Sequence, residues 1–182
     1  MPRNWEEYYS HSPPERRAAM VALAFAGLLP SGQLLDLAGG DGRNAFYFLA
    51  RDRRVTLIDS SQRALRRAQE KAVMRGYDLR TVLLDLEDAS PNIPPGPYAG
   101  IIVSYFVHRP LLARLPRLLK PGGLVLLEGF NRSQAVMRQR PRSPYYWEPC
   151  ELLKPPAGLS LLAAGEGWQE SAYRSWAVWR LG

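Results

Sequence analysis

The sequence predicts an α/β fold in which a mostly parallel sheet carries helices on both faces. Three observations predict it: short apolar runs alternate with helical periodicity, a glycine-rich turn follows the first run, and the last two runs have no room for a helix between them. The 182 residues, of which 46% are hydrophobic and 23% charged, fit one globular domain. We therefore expect a single domain over residues 1–182.

The first 30 residues are expected to form a helical cap. Ser12 and Glu15 have the S-x-x-E spacing of a capping box, which predicts a helix from about Pro13 to Leu29. Pro30, Ser31 and Gly32 then end it. The two arginines before its apolar part also fit a signal peptide, but a helix explains the pattern better.

Strands and helices then alternate as far as residue 127. The predicted strands are Leu34–Leu37, Val55–Ile58, Thr81–Leu84, Ala99–Phe106 and Leu124–Leu127, and the predicted helices are Asn44–Arg51, a long helix from Ser60 or Ser61 to Gly76, and Pro110–Leu119. The serines can cap the long helix, and Gly76 stands where a C-terminal glycine belongs. This alternation is typical of a doubly wound, Rossmann-like sheet.

The C-terminal part has a different pattern. Leu159–Ala164 and Ala172–Leu181 resemble strands, and their short connection requires antiparallel pairing. Before them lies an irregular, basic stretch over residues 131–147, which we expect to be a lid-like loop.

Charge and composition limit the partners and cofactors. The net charge of +7 favours an anionic partner. One cysteine and two histidines argue against a disulfide framework and a zinc site, so no metal is expected. No apolar run approaches a membrane span, so no membrane partner is expected, and the single cysteine fits the cytoplasm.

Three groups of acidic residues follow three successive predicted strands. Asp36 lies inside the apolar end of the first strand, just before the turn from Ala38 to Gly42, Asp59 ends the second strand, and Asp85 with Glu87 ends the third. A glycine-rich turn brings bare backbone close to a ligand, and a carboxylate at the position of Asp59 binds ribose hydroxyls in doubly wound sheets. The alternatives are that the glycines serve only the steric needs of a tight turn, and that Asp59 caps the helix that follows it. The carboxyl ends of parallel strands form the usual ligand site of such sheets.

The motifs that carry these residues resemble class I S-adenosylmethionine-dependent methyltransferases. They are LLDLAGGDGRNAFYFLA, VTLIDSS, LLDLED, GIIVSYFVHRP and LKPGGLVLLEGFN. Within that family, the D-L-x-x-G-x-G-R-N pattern, Trp5, Tyr8–Tyr9 and Glu151–Leu153 resemble the small methyltransferases related to the tellurite-resistance enzyme. The resemblance implies a seven-stranded sheet whose last strand is inserted antiparallel.

The resemblance also implies where S-adenosylmethionine binds and S-adenosylhomocysteine forms. The first turn would surround the methionine moiety, Asp59 would hold the ribose, Asp85 with Leu86 would frame the adenine, and Tyr105 would lie near the sulfonium. The expected cofactor-binding residues are Asp36, Ala38, Gly39, Gly40, Gly42, Asn44, Asp59, Ser60, Asp85, Leu86, Ser104 and Tyr105. Ala38 departs from the family's usual glycine, which leaves the fit of its methyl group open.

Two residues after the fourth strand are candidate catalytic residues, Tyr105 and His108. The alternatives are an aromatic wall for Tyr105 and an exposed loop position for His108. Arginines could guide an anionic substrate or lie on a solvated loop; they are Arg109, Arg132, Arg138, Arg140 and Arg142. The acceptor is expected to be a small, anionic molecule such as an oxyanion, a thiol or a carboxylate.

Three other functions are compatible with parts of the sequence. A nicotinamide-dependent oxidoreductase fits G-x-G-x-x-A from Gly40 to Ala45, but Asp36 and the terminal hairpin argue against it. An RNA or protein methyltransferase is allowed by the charge, but Ser104–Val107 lacks the Asn/Asp-Pro-Pro-aromatic motif of such enzymes, so at most weak nucleic-acid association is expected. A non-catalytic protein that retains the fold is the third. The sequence does not predict the oligomeric state.

Overall fold

The computed structural model describes residues 4–11, 15–138 and 143–182. Its strands are β1 (Leu34–Leu37), β2 (Val55–Asp59), β3 (Arg80–Leu83), β4 (Tyr98–Ser104), β5 (Leu119–Phe130), β6 (Leu159–Gln169) and β7 (Ala172–Leu181). They form one sheet in the order β3-β2-β1-β4-β5-β7-β6. Strands β1 to β5 pair in parallel, and β7 lies antiparallel between β5 and β6. The predicted sheet and its antiparallel C-terminal hairpin are confirmed.

The helices cover both faces of this sheet. They are α1 (Trp5–Ser10), α2 (Met20–Phe25), α3 (Arg43–Leu49), α4 (Gln62–Met74), α5 (Arg109–Leu112) and α6 (Arg132–Met137), with 3₁₀ turns at Ala26–Leu28, Leu115–Leu118 and Glu151–Leu153. Ser61 caps α4 by accepting a hydrogen bond from the Ala64 amide, which confirms one of the two predicted caps.

The side chains of β1 alternate between two hydrophobic cores. Leu34 belongs to the core under α2, α3 and α4, whereas Leu35 and Leu37 belong to the core under α5 and two of the 3₁₀ turns. Asp36 therefore shares a side with Leu34, and its carboxylate meets the start of α3.

The N-terminal segment differs from the predicted single helix. Only α2 and the 3₁₀ turn after it lie within the predicted range, and an unpredicted helix, α1, precedes them. The Ala19 amide donates to Asn44 Oδ1 and the Val21 amide to Glu128 Oε2, so these groups are satisfied by buried side chains rather than by a preceding helical turn. Ser12 of the predicted capping box lies outside the described residues.

Two further predicted elements are corrected. The predicted helix over 110–119 divides into α5 and a 3₁₀ turn, since Pro116 cannot donate within a continuous helix. The stretch 131–147, predicted to be irregular, contains α6, which Asn131 caps by accepting a hydrogen bond from the Ser133 amide. Residues 139–142 of that stretch lie outside the described residues.

Strands β1 and β4 are neighbours in the sheet. From β1 the chain adds β2 and β3 on one side, and from β4 it adds β5 on the other side, so the strand order reverses between β1 and β4. Ligands of open α/β sheets bind at such a switch point, at the carboxyl ends of the strands. None of the helices in the described residues is long and apolar enough to cross a membrane.

Candidate functional site

A cavity of about 710 Å³ opens at the carboxyl ends of the central strands. Its lining includes most of the residues predicted to bind a cofactor: Ala38, Gly39, Gly40, Asp59, Ser60, Asp85, Leu86, Ser104 and Tyr105. The structure thus brings together the turn after β1 and the ends of β2, β3 and β4. We call this cavity the cleft.

The turn after β1 has a backbone that favours glycine. Gly40 has a φ of 60° and Gly42 a φ of 90°, both in the left-handed region. Ala38, where the sequence departs from the glycine pattern, also has a positive φ of 51°. The chain therefore accepts a left-handed alanine at the edge of the cleft, at some strain.

Asp59 connects this turn to the end of β2. Its Oδ2 accepts a hydrogen bond of 2.7 Å from the Gly40 amide, and its Oδ1 accepts one of 2.9 Å from the Ser61 amide. Burial raises the pKa of Asp59, while the backbone donors oppose that shift. Because Ser61 caps α4, Asp59 is not its cap and each carboxylate oxygen keeps capacity to accept from a ligand.

The third predicted acid lies at the outer end of the cleft. Asp85 is exposed and its Oδ1 accepts from the Glu87 amide, whereas Leu86 is 3% exposed. Tyr145 also lines the cleft, and burial together with the carboxylates of Glu87 and Asp85 raises its pKa. An apolar side chain thus stands beside carboxylates at this end.

Three predicted residues lie beneath the cleft rather than in its lining, namely Asp36, Gly42 and Asn44. Asp36 is fully buried and accepts from the Ala45 amide at 3.2 Å and from Asn44 Nδ2 at 3.4 Å. Burial raises the pKa of Asp36 to about 7, and the hydrogen bonds from Asn44 and Ala45 oppose this. Asn44 Nδ2 also donates to Ser104 Oγ at 2.9 Å, which ties the start of α3 to the end of β4.

Helix α1 lies over the turn and contributes Trp5, Tyr8 and Tyr9 to the cleft. A Cβ added at Gly40 would lie 2.0 Å from Tyr9 Oη, so glycine is what allows this close approach. Burial, together with the charges of Asp59 and Asp41, raises the pKa of Tyr9 to about 12. Tyr9 could not be assigned to the site from the sequence, since its proximity to the turn depends on the tertiary path of the N-terminus.

The opposite end of the cleft is aromatic and positively charged. Tyr105 donates a hydrogen bond of 2.8 Å from its hydroxyl to Glu128 Oε1, and burial followed by the Glu128 charge raises the pKa of Tyr105. The guanidinium carbons of Arg43 and Arg174 lie 4.7 Å and 5.6 Å from the centre of its ring. Arg16 of the N-terminal segment also lines the cleft.

These three arginines are not the ones that the sequence suggested. Arg109 forms a two-pronged ion pair with Glu151, Arg132 pairs with Glu148, and Arg138 donates to the Ser171 carbonyl. None of these lines the cleft. Arg140 and Arg142 lie outside the described residues.

His108, the second candidate catalytic residue, does not line the cleft. It immediately precedes α5, and its Nδ1 is buried without a hydrogen-bond partner among the described residues. Of the two candidates, Tyr105 alone is in the cleft. Within the described residues, no group of three or more potential ligands is arranged to hold a metal ion.

Comparison with known proteins identifies the domain. Residues 34–123 match the family described as methyltransferase domain. The chain is 30% identical over 123 residues to the ubiquinone/menaquinone biosynthesis C-methyltransferase UbiE of Cupriavidus taiwanensis, an alignment that covers 62% of this chain and 49% of that protein. The chain thus spans about half the length of this curated relative.

Solved structures share the fold over nearly the whole chain. TehB from Haemophilus influenzae has a TM-score of 0.77 at 18% identity, covering 98% of this chain and 67% of that one. An S-adenosylmethionine-dependent methyltransferase from Clostridium acetobutylicum has a TM-score of 0.74 at 12% identity, covering 98% and 96%. With the sheet order described above, the matched family identifies residues 34–123 as a methyltransferase domain, and these solved structures share its fold.

Proposed function

We propose that this protein transfers a methyl group from S-adenosylmethionine to a small anionic acceptor. The observation that carries the proposal is the division of one cleft into two chemically different ends. Carboxylates of Asp59 and Asp85 lie at the end formed by β2 and β3, whereas Arg43 and Arg174 approach Tyr105 at the other end. A nucleoside with hydroxyl and amine donors suits the first end, and an anion suits the second.

The residues at the first end fit the cofactor. Asp59 has acceptor capacity left for ribose hydroxyls, and Asp85 with Leu86 presents an acceptor and an apolar surface for adenine. The turn over Ala38, Gly39 and Gly40, which is left-handed at Ala38 and Gly40, leaves backbone accessible for the methionine moiety. Ser60 and Ser104 complete the lining with hydroxyl groups.

Asp36, Gly42 and Asn44 contribute from beneath. The carboxylate of Asp36 holds the start of α3 through the Ala45 amide, and Asn44 bridges Asp36 to Ser104. Gly42 provides the left-handed turn into that helix. We propose that these residues fix the shape of the turn and add negative charge near the cationic amino group of the cofactor.

The chemistry at the second end requires little proton transfer. When bound, S-adenosylmethionine supplies a methyl group on a positively charged sulfur, which an electron-rich atom can attack in line. The Tyr105 hydroxyl already donates to Glu128, and burial raises its pKa, so the hydroxyl keeps its proton and the phenolate that could act as a base does not form near neutral pH. We therefore propose that Tyr105 forms a wall of the acceptor site and that the acceptor arrives already deprotonated.

Calorimetric titration with S-adenosylhomocysteine and with NAD tests the cofactor assignment. We expect binding of S-adenosylhomocysteine and none of NAD. Asp59→Asn should weaken that binding at least about tenfold, because one acceptor becomes a donor facing the ribose. Asp78→Asn is the matched control, since Asp78 is exposed and outside the cleft. Tight NAD binding without a response to S-adenosylhomocysteine would overturn the proposal.

A further inference from the structure

We propose that the natural acceptor is an aromatic carboxylic acid, whose ring packs against Phe130 and Tyr146 and whose carboxylate is held by Arg174 and Arg43. This inference rests on the proposed function and narrows its acceptor class. It follows from two features of the second end of the cleft: a run of half-buried aromatic rings and a pair of guanidinium groups that both lie beside the Tyr105 ring.

The aromatic rings form a continuous surface from β4 to the segment before Trp147. The ring centres of Tyr105 and Phe130 are 4.9 Å apart with an interplanar angle of 69°, and those of Phe130 and Tyr146 are 6.2 Å apart with an angle of 56°. All three rings line the cleft and are only half-buried. Planar rings that meet at such angles present edges and faces to the space between them, which is the arrangement that a further aromatic ring prefers.

The guanidinium groups have donors left for an anion. Arg43 donates to Ser104 Oγ at 3.1 Å. Among the described residues, no hydrogen-bond acceptor is found for the other N–H groups of its guanidinium. Arg174 donates to Gln169 Oε1 at 3.3 Å, and its Nη2 lies 3.7 Å from an oxygen of the exposed Glu170, an ion pair that solvent weakens. A carboxylate bound in the cleft would pair with this guanidinium in place of Glu170.

The two features share one location because of strand pairing. Phe130 at the end of β5 lies directly opposite Arg174 on β7. The ring and the guanidinium therefore reach the cleft from adjacent positions on neighbouring strands, and both contact Tyr105. A ligand whose apolar ring carries a charged group at one side matches this pairing, whereas a compact inorganic oxyanion would leave the aromatic surface uncovered.

The reaction needs no base. A carboxylate oxygen would form a bond to the methyl carbon as the bond between that carbon and the sulfur breaks, and the bonding electron pair goes to the sulfur. The products are a neutral methyl ester and S-adenosylhomocysteine, with no proton taken up or released. This balance agrees with a site whose tyrosine hydroxyl is already committed to Glu128.

A panel of acceptors tests the inference through both turnover and binding. The panel contains benzoate, cyclohexanecarboxylate, acetate, phenylmethanol and tellurite, each assayed for release of S-adenosylhomocysteine from S-adenosylmethionine. Calorimetry with the protein already saturated with S-adenosylhomocysteine measures acceptor affinity separately. We expect benzoate to bind at least tenfold more tightly than acetate, tellurite and the uncharged phenylmethanol, and more tightly than cyclohexanecarboxylate.

Variants separate the ring contact from the charge contact. Arg174→Gln should raise the KM for benzoate at least tenfold with a smaller change in kcat, and Phe130→Leu should remove the preference for benzoate over cyclohexanecarboxylate. Arg180→Gln is the matched control, because Arg180 is exposed on the same strand and outside the cleft.

The outcomes distinguish this inference from the proposed function. If S-adenosylhomocysteine binds and tellurite or acetate is methylated as well as benzoate, the aromatic acceptor is overturned while methyl transfer to an anion stands. If phenylmethanol binds as tightly as benzoate, the role of the arginine pair is overturned. If S-adenosylhomocysteine does not bind at all, both proposals fail.

Discussion

The hydroxyl of Tyr105 donates its hydrogen to Glu128 Oε1 across 2.8 Å, and the other oxygen of that buried carboxylate accepts from the Val21 amide at 3.0 Å. This arrangement links the aromatic end of the cleft to the start of α2. It also directs the tyrosine proton at Glu128, so that the hydroxyl acts as a donor to the protein rather than as a base.

Replacing Tyr105 by phenylalanine therefore tests its role. We expect kcat to fall by less than about tenfold, whereas loss of a general base typically lowers it by about 10² to 10⁴. Stability should fall by about 1–3 kcal/mol, because buried Glu128 loses a donor. The pH profile of kcat and a urea denaturation curve measure the two effects. Tyr47→Phe is the control, since Tyr47 lies outside the cleft. A fall of 10³ in kcat would assign Tyr105 as the base.

Gly40→Ala should weaken cofactor binding by displacing α1. The added Cβ would lie 2.0 Å from Tyr9 Oη, and the left-handed φ of 60° adds a further cost of about 1–2 kcal/mol for any other residue. We expect the affinity for S-adenosylhomocysteine, measured by calorimetry, to fall at least about tenfold. Removing the clashing hydroxyl with Tyr9→Phe in the same chain should restore part of it.

The control for that experiment is Gly167→Ala. Gly167 lies on β6, has no neighbour within 4 Å of an added Cβ and no positive φ. The Gly167→Ala substitution should leave the affinity for S-adenosylhomocysteine unchanged. If the Gly40→Ala variant bound S-adenosylhomocysteine as tightly as the unaltered protein, the inference that α1 lies close against the turn would be wrong.

Ala38→Gly should have the opposite sign. Ala38 has a φ of 51°, which glycine adopts without the steric cost that its methyl group adds. The greater freedom of glycine in the unfolded chain offsets part of this gain, so we expect the free energy of unfolding to rise by about 0.5–1 kcal/mol. Ala50→Gly is the control, because Ala50 has a φ of −65° and should only lose stability. Denaturation curves of the unaltered protein and of the two variants measure these changes in the free energy of unfolding. Equal losses of stability in Ala38→Gly and Ala50→Gly would contradict a strained Ala38.

The sheet could be predicted from the sequence because its strands are short apolar runs between clear turn signals. Leu34–Leu37 and Ala172–Leu181 lie where they were predicted. The N-terminal segment could not be predicted, since Ala19 and Val21 bond to Asn44 and Glu128, which are distant in sequence. The helix propensities of the residues in this segment do not indicate such distant hydrogen-bond partners.

The cleft was predicted more completely at one end than at the other. Asp59 and Asp85 follow strands whose carboxyl ends meet at one edge, so their proximity follows from the predicted topology. Arg174 lies in a hairpin whose register with β5 places it opposite Phe130, and no local pattern reveals that register. The burial of Asp36 away from the cleft could have been found, because strand alternation puts it on the side of Leu34.

Asp36 should make stability depend on pH in a direction unusual for a carboxylate. Burial raises its pKa from 3.8 to about 7. Between these values the folded protein holds a proton that the unfolded chain has released, so the contribution of Asp36 to the free energy of unfolding is full below about pH 4 and declines as pH rises through about 7. Asp36→Asn removes this dependence. The difference in the free energy of unfolding between the unaltered protein and the Asp36→Asn variant should change by up to about 1.4 kcal/mol per pH unit within that window.

Urea denaturation at pH 5, 6, 7 and 8 measures this difference, with Asp52→Asn as the control, since Asp52 is exposed. Carbon-13 NMR of the aspartate carboxyl groups gives the pKa of Asp36 directly, and it remains informative if the asparagine variant folds poorly. A carboxyl signal that titrates near pH 4, together with denaturation curves that run parallel at every pH, would mean that the donors from Asn44 and Ala45 outweigh burial. A titration near pH 7 would mean that this buried proton leaves the site as the protein passes into mildly alkaline solution.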